Sequence, residues 1–553
     1  MSLRQIFLSG AWASLALTGC MAGPAESTEN GASQPGLEGS EVPVPSAPFG
    51  ESALMGEVSG TRVLHYRTDT GDFTEPVSPS TSPLQAFVVE TGARRYLTVS
   101  DPGDGTFRIA DAPPGEYFLQ LGSFYVATDA RSLSLDRYEL GRRNRVASTS
   151  PVTVKLSLTN LNPVPDGSAL SLEGSSSNLN AAVWLSGQGP VMGGATSVTD
   201  YAADWSDSTV VEGTKGDLFY LHQKVERSAG PIYYSVIDRT LATAPFTLST
   251  DPAAPTTISG ELQPLPPRAA RIEWWRSQFD AWRIAAHPLS SQFFSDVSLY
   301  ALPWGEDAWY GYLGELAYAS APVSAQDLIL DFAYGNPYLS WGTAVSAFYG
   351  SRVPLRLPGT TSGQVYATLS DTRVLKDGMD PIKLRVSPPL ALKVDGADAQ
   401  VDRALASFTP TMSWMAPRVG TPSAYRVSVR RLYTLTTSPT ITRYSTVATF
   451  HTAGTSLQVP PGILQSGQRY VFSVMAYVTP GVDYAREPYV LEVLADAAYA
   501  NTLSSILTAP ASIGTVDRGA EPEGSLVVEP ELGDLMESSG RRVRLSPKAA
   551  SAL

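Results

Sequence analysis

The segment that decides the fold of this chain reads Leu464-Gln465-Ser466-Gly467-Gln468-Arg469-Tyr470-Val471-Phe472-Ser473-Val474-Met475-Ala476. Phe472, Val474 and Ala476 alternate along it, which predicts a β-strand with one buried face. Upstream, Tyr425-Arg426-Val427-Ser428-Val429 alternates in the same way. Two such strands near each other in sequence favour a sheet-built domain in this part of the chain.

Residues 386–510 resemble a fibronectin type III domain. Trp414 matches the buried tryptophan of the second strand of that family, and Tyr425 matches the aromatic residue of the third. Leu464-x2-Gly467-x2-Tyr470 matches the turn into the sixth strand, where the tyrosine hydroxyl hydrogen-bonds the backbone upstream. The resemblance implies a β-sandwich whose structural residues are Trp414, Tyr425, Leu464 and Tyr470. The sequence has no Arg-Gly-Asp, so it does not support integrin-type adhesion.

The composition extends this prediction to the whole chain. The 553 residues include 46 Gly and 43 Pro, with many Ser, Thr, Val and Tyr. These residues disfavour long helices and suit short strands joined by turns. We therefore predict an all-β protein made of several β-sandwich modules in series, with a disordered N-terminal tether and a disordered C-terminal tail.

Residues 52–160 contain Gly105-Thr106-Phe107 and Pro113-Pro114-Gly115-Glu116-Tyr117. A strand, a Pro-Pro-Gly turn and a second strand predict a β-hairpin. The pattern resembles the carboxypeptidase regulatory-like (transthyretin-like) β-sandwich, whose presence implies a structural or binding module. Val152 to Leu158 alternates cleanly and is predicted as the last strand of this region.

Residues 161–385 form a β-rich middle region, and Pro264-Leu265-Pro266-Pro267 divides it into two candidate modules. After this division, Ser277 is a candidate N-cap for a short helix from Gln278 to His287, ended by Pro288. Phe279, Trp282 and Ala286 would share one face of that helix, which we expect to lie against a sheet.

The middle region also holds most of the tryptophans. Trp304, Trp309, Tyr310 and Tyr312 stand among glycines and carboxylates, so they are either core residues or an exposed platform for a carbohydrate ligand. Exposure of the rings would distinguish the two. Glu306, Asp307 and Glu315 are the candidate carboxylates for a glycoside hydrolase, since carboxylate separation in space cannot be obtained from sequence.

The N-terminus indicates where the protein resides. An apolar run from Ile6 to Leu17 is too short to span a bilayer and is typical of a cleaved export signal, residues 1–19. Leu17-Thr18-Gly19-Cys20 resembles the lipobox of bacterial lipoproteins, which implies recognition at Leu17, Thr18 and Gly19 and lipidation of Cys20. Cys20 is the single cysteine of the chain.

The segments at the two ends complete the domain prediction. Residues 20–51 are rich in Pro, Gly, Ser and Glu and predict a tether, and residues 511–553 carry acidic and then basic blocks and predict a tail. Met21 follows the lipidated cysteine, and by family resemblance this implies an outer-membrane destination, on the periplasmic face or the cell surface.

The charge and the motifs limit the function. A net charge of −13 disfavours nucleic acid as a partner. The four histidines have no ligand spacing, and neither a serine-hydrolase elbow nor a nucleotide-binding glycine motif occurs, so we predict no metal, no cofactor and no catalysis. The sequence therefore favours a lipid-anchored envelope scaffold that binds a protein or polysaccharide. A carbohydrate-binding lipoprotein and a glycoside hydrolase are the alternatives.

Overall fold

The structure is a computed structural model that describes residues 56–68, 71–148, 151–179, 181–206, 209–230, 232–302, 315–321, 326–338, 341–436, 439–488 and 496–511. These residues form strands with three short helical segments, in several sheets, so the prediction of an all-β protein with several modules is confirmed. Residues 20–51 and 512–553, which hold the predicted tether and almost all of the tail, lie outside the described residues.

The first region contains three groups of paired strands, and two of them contribute to a core that includes Phe107, Tyr117 and Leu119. Its strands are β1 (Val58–Thr61), β2 (Val63–Thr68), β3 (Gly71–Pro76), β4 (Gln85–Glu90), β5 (Ala93–Tyr96), β6 (Val99–Ser100), β7 (Thr106–Ile109), β8 (Tyr117–Leu121), β9 (Phe124–Thr128), β10 (Ser132–Ser134) and β11 (Arg137–Leu140).

The predicted hairpin at Pro113-Pro114-Gly115 is wrong. Strand β7 pairs with β1 and β6, whereas β8 pairs with β4 and β9, so the two predicted arms belong to different sheets. The turn crosses from one sheet to the other. Both arms are strands with a buried face, and a one-strand pattern does not specify which neighbour that face meets.

The second region is a closed ring of strands around an apolar core. Its strands are β12 (Val152–Thr159), β13 (Ala169–Ser176), β14 (Ala181–Pro190), β15 (Val198–Trp205), β16 (Tyr220–Ala229), β17 (Ile232–Ala242), β18 (Thr257–Glu261) and β19 (Gln263–Pro264), with a 3-10 turn at Gly213–Lys215. The pairings run β18-β12-β15-β14-β13-β16-β17-β19, and β19 directly follows β18 in the chain.

Val152–Thr159, which the sequence predicts as a strand before the boundary at residue 160, is part of this ring. Its hydrogen bonds go to β15 and β18. Its buried side chains, Val152, Val154, Leu156 and Leu158, contribute to the core inside the ring. The domain divisions, including the boundary at residue 160, stay predictions.

The third region places a four-stranded sheet, in the order Glu315–Ala321, Ser291–Leu302, Gly342–Val353 and Val365–Val374, against a separate two-stranded sheet of Pro267–Trp274 and Leu328–Gly335. Side chains of the two sheets, Val297 and Leu299 on one and Ile272 and Phe332 on the other, share a core. The elements are β20 (Pro267–Trp274), α1 (Arg276–Ala281), α2 (Arg283–Ala286), β21 (Ser291–Leu302), β22 (Glu315–Ala321), β23 (Leu328–Gly335), β24 (Gly342–Val353) and β25 (Val365–Val374).

The predicted helix is present in part. It is divided into α1 and α2 at Trp282, and its first residue is Arg276 instead of Gln278. Ser277 does not cap it; Ser277 is inside the first turn, where its N–H donates to Asp327 Oδ1 at 2.9 Å. Phe279 and Ala286 are buried, and Trp282 packs against the same core as Phe279, so the expected apolar face does lie against the sheets.

The fourth region is a β-sandwich. One sheet has the order Ala397–Asp398, Leu390–Val394, Thr411–Met415 and Ser456–Gln458. The facing strands are paired in the order Ile441–Thr452, Ala424–Leu435, Arg469–Val478 and Ala497–Leu503. The strands are β26 (Leu390–Val394), β27 (Ala397–Asp398), β28 (Arg403–Ala404), β29 (Thr411–Met415), β30 (Ala424–Leu435), β31 (Ile441–Thr452), β32 (Ser456–Gln458), β33 (Arg469–Val478), β34 (Ala497–Leu503) and β35 (Leu507–Thr508).

Backbone hydrogen bonds join the regions to each other. Strand β9 runs parallel to β31, β25 runs antiparallel to β34, and β17 pairs with β22. Each joint pairs strands that belong to different regions. Because unpaired edge strands invite aggregation, these joints also protect the edges that the separate regions would otherwise expose.

Candidate functional site

Several sequence-predicted site residues cannot be placed. The lipobox residues Leu17, Thr18, Gly19 and Cys20 lie outside the described residues, and so do Trp304, Trp309, Tyr310 and Tyr312 of the aromatic platform. The candidate carboxylates Glu306 and Asp307 are in the same undescribed segment. Lipidation and the aromatic platform therefore stay predictions.

The four predicted packing residues of the fourth region come together between its two sheets. Trp414 on β29 meets Tyr425 on β30 edge to face, with ring centroids 5.4 Å apart. Leu464 is buried, and Tyr470 on β33 is fully buried with its hydroxyl accepting a 2.8 Å hydrogen bond from the Gln465 N–H. An aromatic pair and a buried tyrosine with a backbone partner hold the sheets in register.

Glu315, the third candidate carboxylate, is described and lies in a cluster of charged side chains. Lys224 Nζ is 4.0 Å from Glu315 Oε2 and 2.5 Å from Glu173 Oε2. Ser298 donates a 3.0 Å hydrogen bond to Glu315. Strands β13, β16, β21 and β22 supply these side chains, so the cluster spans the joint between the ring and the third region.

The electrostatics of this cluster come from burial. Burial raises the pKa of Glu315, with Lys224 opposing that shift and Glu173 adding to it. Burial and the neighbouring Glu315 raise the pKa of Asp296 well above its usual range. Lys224 is thus within 4.0 Å of two carboxylates, those of Glu173 and Glu315, and Asp296 is a third acidic residue close to Glu315. Glu173 is only 2% exposed, and this closed packing suits a structural ion pair.

Sequence reasoning missed Glu173, Lys224 and Asp296. They lie on three strands that are separate in the chain, and a charged residue in a strand is ordinarily interpreted as solvent-facing. A signal was available for Asp296, because the segment that follows it, from Val297 to Leu302, is rich in apolar residues.

Three of the four histidines, His222, His287 and His451, are buried. His222 is 1% exposed, with its Nε2 2.8 Å from Ser175 Oγ and its Nδ1 2.9 Å from Thr240 Oγ1. Burial lowers the pKa of His222 to about 3. Ser175 is 0% exposed, so this serine–histidine pair is closed to a substrate. His451 is 3% exposed, and neither of its ring nitrogens has a hydrogen-bond partner.

A cavity opens at the junction of the first region and the ring. Its volume is about 390 Å³, and its wall is formed by the β2–β3 hairpin, the segment at residues 142–144 and loops of the ring. Phe73 comes from the hairpin, Arg142 and Arg143 from the segment, and Lys215 from the 3-10 turn. Sequence reasoning did not find this site, because it is assembled from separate loops.

Within the described ranges, no group of three or more His, Cys, Asp or Glu side chains has the arrangement of a metal site. The same ranges contain no helix with the length and hydropathy required to cross a membrane.

Comparison with known proteins found no matching family model and no matching curated protein. Among solved structures, the chain is similar to the chicken CNTN1 FN1–FN3 domains, with 9% identity, coverage of 59% of this chain and 93% of that chain, and a TM-score of 0.11. A streptococcal ancillary pilin gives 12% identity, coverage of 59% and 97%, and a TM-score of 0.11. A tetra-tandem repeat of a large adhesion protein gives 12% identity, coverage of 82% and 98%, and a TM-score of 0.09. These TM-scores are too low to indicate a shared fold over the aligned length.

Proposed function

We propose that this chain is a lipid-anchored cell-envelope protein that acts as a non-catalytic binding or structural scaffold. The observation that supports this proposal best is the hydrogen-bonded joining of its regions. Strand β9 of the first region pairs with β31 of the fourth, and β25 of the third pairs with β34 of the fourth. Regions joined through backbone ladders keep fixed relative positions, which a scaffold requires.

Side-chain contacts at the first of these joints support the same proposal. Arg94 Nε donates a 2.8 Å hydrogen bond to the Pro461 carbonyl, and the Arg94 guanidinium lies over the Phe87 ring at 4.6 Å. The Ser134 N–H donates to the Arg486 carbonyl at 2.7 Å. The first region therefore contacts the fourth at a strand edge and at two loops.

The anchor in this proposal is Cys20, by resemblance to the lipobox Leu17-Thr18-Gly19-Cys20. Lipid on this sulfur would hold the chain at a membrane, and several acyl chains hold firmly where one is marginal. Met21 supports an outer-membrane destination. We further propose that residues 386–510 are a fibronectin type III-like module and that the first region is a carboxypeptidase regulatory-like module.

Metabolic labelling with radioactive palmitate tests the anchor. The wild-type chain should carry the label and sediment with the outer membrane, while Cys20→Ser should be unlabelled and leave the membrane fraction. An unlabelled wild-type chain with its N-terminal signal intact would refute the proposal. Turnover of glycoside or peptide substrates by the purified chain, lost in Glu315→Gln, would refute the non-catalytic part.

A further inference from the structure

The cavity between the first region and the ring has a cationic wall. Arg142, Arg143 and Lys215 line it, and each is paired with a carboxylate of Asp217, Glu75 or Glu212 that is not among the described lining residues. A volume of about 390 Å³ lies within the range of small-ligand sites. The wall and the size together suit a small anionic ligand.

Arg142 is the fixed part of this wall. Its Nε and one terminal nitrogen bond both oxygens of Asp217 at 2.7 and 2.9 Å, and that nitrogen also lies 2.9 Å from Glu212. Its side chain is 11% exposed and that of Asp217 is 0% exposed. A paired, buried guanidinium of this kind orients the segment that carries its neighbours Arg143 and Asn144.

Arg143 and Lys215 form exposed ion pairs whose carboxylate partners a ligand can replace. The Arg143 side chain is 59% exposed and makes a 3.1 Å bond to Glu75, and the Lys215 side chain is 46% exposed and makes a 2.9 Å bond to Glu212. Exposed ion pairs contribute little stability, so a ligand anion can replace these carboxylates at small cost. Both cations are therefore available to a bound carboxylate.

Phe73 adds an apolar surface to the same wall. Its side chain belongs to the β2–β3 hairpin and is 53% exposed, although a phenylalanine gains from burial. Aromatic rings in binding sites supply large, rigid contact area beside a few polar groups. Asn144 lines the same cavity, is exposed, and offers an amide for hydroxyl groups.

We propose that this cavity binds a sugar acid, a saccharide unit with a carboxylate. The carboxylate would pair with Arg143 and Lys215, the C–H face of the sugar ring would lie on Phe73, and ring hydroxyls would bond Asn144. This site goes beyond the scaffold role and does not depend on it. Palmitate labelling of Cys20 and binding in the cavity are separate measurements, so the failure of one is distinguishable from the failure of the other.

Isothermal titration calorimetry of the full chain in detergent tests this site. The probes are D-galacturonate, trigalacturonate, neutral D-galactose and inorganic sulfate, each at 50 and 500 mM NaCl. We expect galacturonate to bind with a dissociation constant on the order of 1 mM at low salt, at least tenfold tighter than galactose, and to weaken at high salt. Tighter binding of trigalacturonate would identify a polysaccharide as the source of the sugar, and equal binding would identify a single sugar; both support the site.

The variants Phe73→Ala and Arg143→Ala should each weaken galacturonate binding at least tenfold. Tyr96→Ala and Arg108→Ala are matched controls, with side chains that are 55% and 72% exposed and that do not line the cavity, and they should bind as the wild type does. Equal binding of galactose, sulfate binding as tight as galacturonate, no binding at all, or unchanged affinity in Phe73→Ala and Arg143→Ala would each overturn the proposal.

Discussion

Tyr125 of the first region stacks on Phe450 of the fourth, with ring centroids 4.8 Å apart and ring planes inclined by 24°. The two residues are also directly opposite in the parallel ladder between β9 and β31. Both are buried, and they belong to one core that runs through the joint. The joint is therefore closed by backbone hydrogen bonds and by an aromatic pair at the same place.

Tyr125→Ala should weaken this joint. Truncating a buried aromatic side chain costs about 3–5 kcal/mol, and here the loss falls on the contact between two regions. Hydrogen exchange should accelerate at residues 124–126 and 449–451 while the ring of the second region stays protected. Tyr96→Ala is the control, because Tyr96 is 55% exposed in the same region. Unchanged exchange at residues 449–451 in Tyr125→Ala would contradict this prediction.

Tyr470→Phe should destabilise the fourth region. The variant removes the hydroxyl that accepts the Gln465 N–H, and a buried donor left without a partner costs about 1–3 kcal/mol. Urea unfolding monitored by tryptophan fluorescence measures the change. Tyr433→Phe, at a position that is 42% exposed, should change stability by less than about 0.5 kcal/mol. Equal stability of the two variants would disprove the role of the hydroxyl.

Lys224→Met should destabilise the joint between the ring and the third region. Glu173 would be left 2% exposed and without its cation, and breaking a buried pair by removing one partner costs about 3–5 kcal/mol. Adding Glu173→Gln to the same chain should recover part of that loss, because the uncompensated charge disappears. Thermal unfolding of the single and double variants checks both statements. A double variant no more stable than Lys224→Met would show that the charge of Glu173 is not the cause.

Mild acid should destabilise the chain through its buried histidines. Burial lowers the pKa of His222 and of His451 to about 3, whereas an unfolded histidine titrates near 6.5. The unfolded state then binds more protons, so stability is complete above pH 6.5 and falls as the pH decreases towards 3. At pH 5.0 each of these two histidines should lower the free energy of unfolding by about 2 kcal/mol, by linkage between proton binding and folding.

His451→Phe isolates one of these contributions. Arg426 is the charged group that also lowers the pKa of His451, and Phe124 of β9 faces the imidazole ring at 6.5 Å. Urea unfolding measures how much the free energy of unfolding falls between pH 7.5 and 5.0. That fall should be about 2 kcal/mol smaller in this variant than in the wild type. Asp296 and Glu315, whose pKa values are raised, act in the opposite direction in both proteins, so the comparison cancels them. An identical acid loss in the two proteins would argue against the buried imidazole.

Alternation along single strands was enough to predict much of the fold. Val152 to Leu158 is a strand with buried alternate residues, because an extended chain turns successive side chains to opposite faces. The segment from Tyr470 to Ala476 is also a strand, but both of its faces are buried. The same reasoning failed at Pro113-Pro114-Gly115 and at Ser277. A turn sequence does not state which strand a chain will pair with after the turn. At Ser277 the helix begins one residue earlier, at Arg276, so that Ser277 lies in the first turn and its amide bonds Asp327.

The candidate sites divide in the same way. Trp414 and Tyr470 could be identified from the sequence because large aromatic residues at these spacings are usually buried in a core. The cavity at Phe73 and Arg143 could not, since its wall comes from the hairpin, a connecting segment and two loops of the ring. Glu173, Lys224 and Glu315 likewise meet across strands separated by many residues.

The amino-acid sequence by itself determined the class of this protein, since its turn-forming residues and period-two alternation permit strands and leave little room for long helices. Only the tertiary structure decided how the strands are partnered, including the closed ring at residues 152–264 and the joint where Tyr125 meets Phe450. The physical reason is that burial of a strand face is encoded locally, residue by residue. The choice of neighbouring strand depends on contacts between residues hundreds of positions apart.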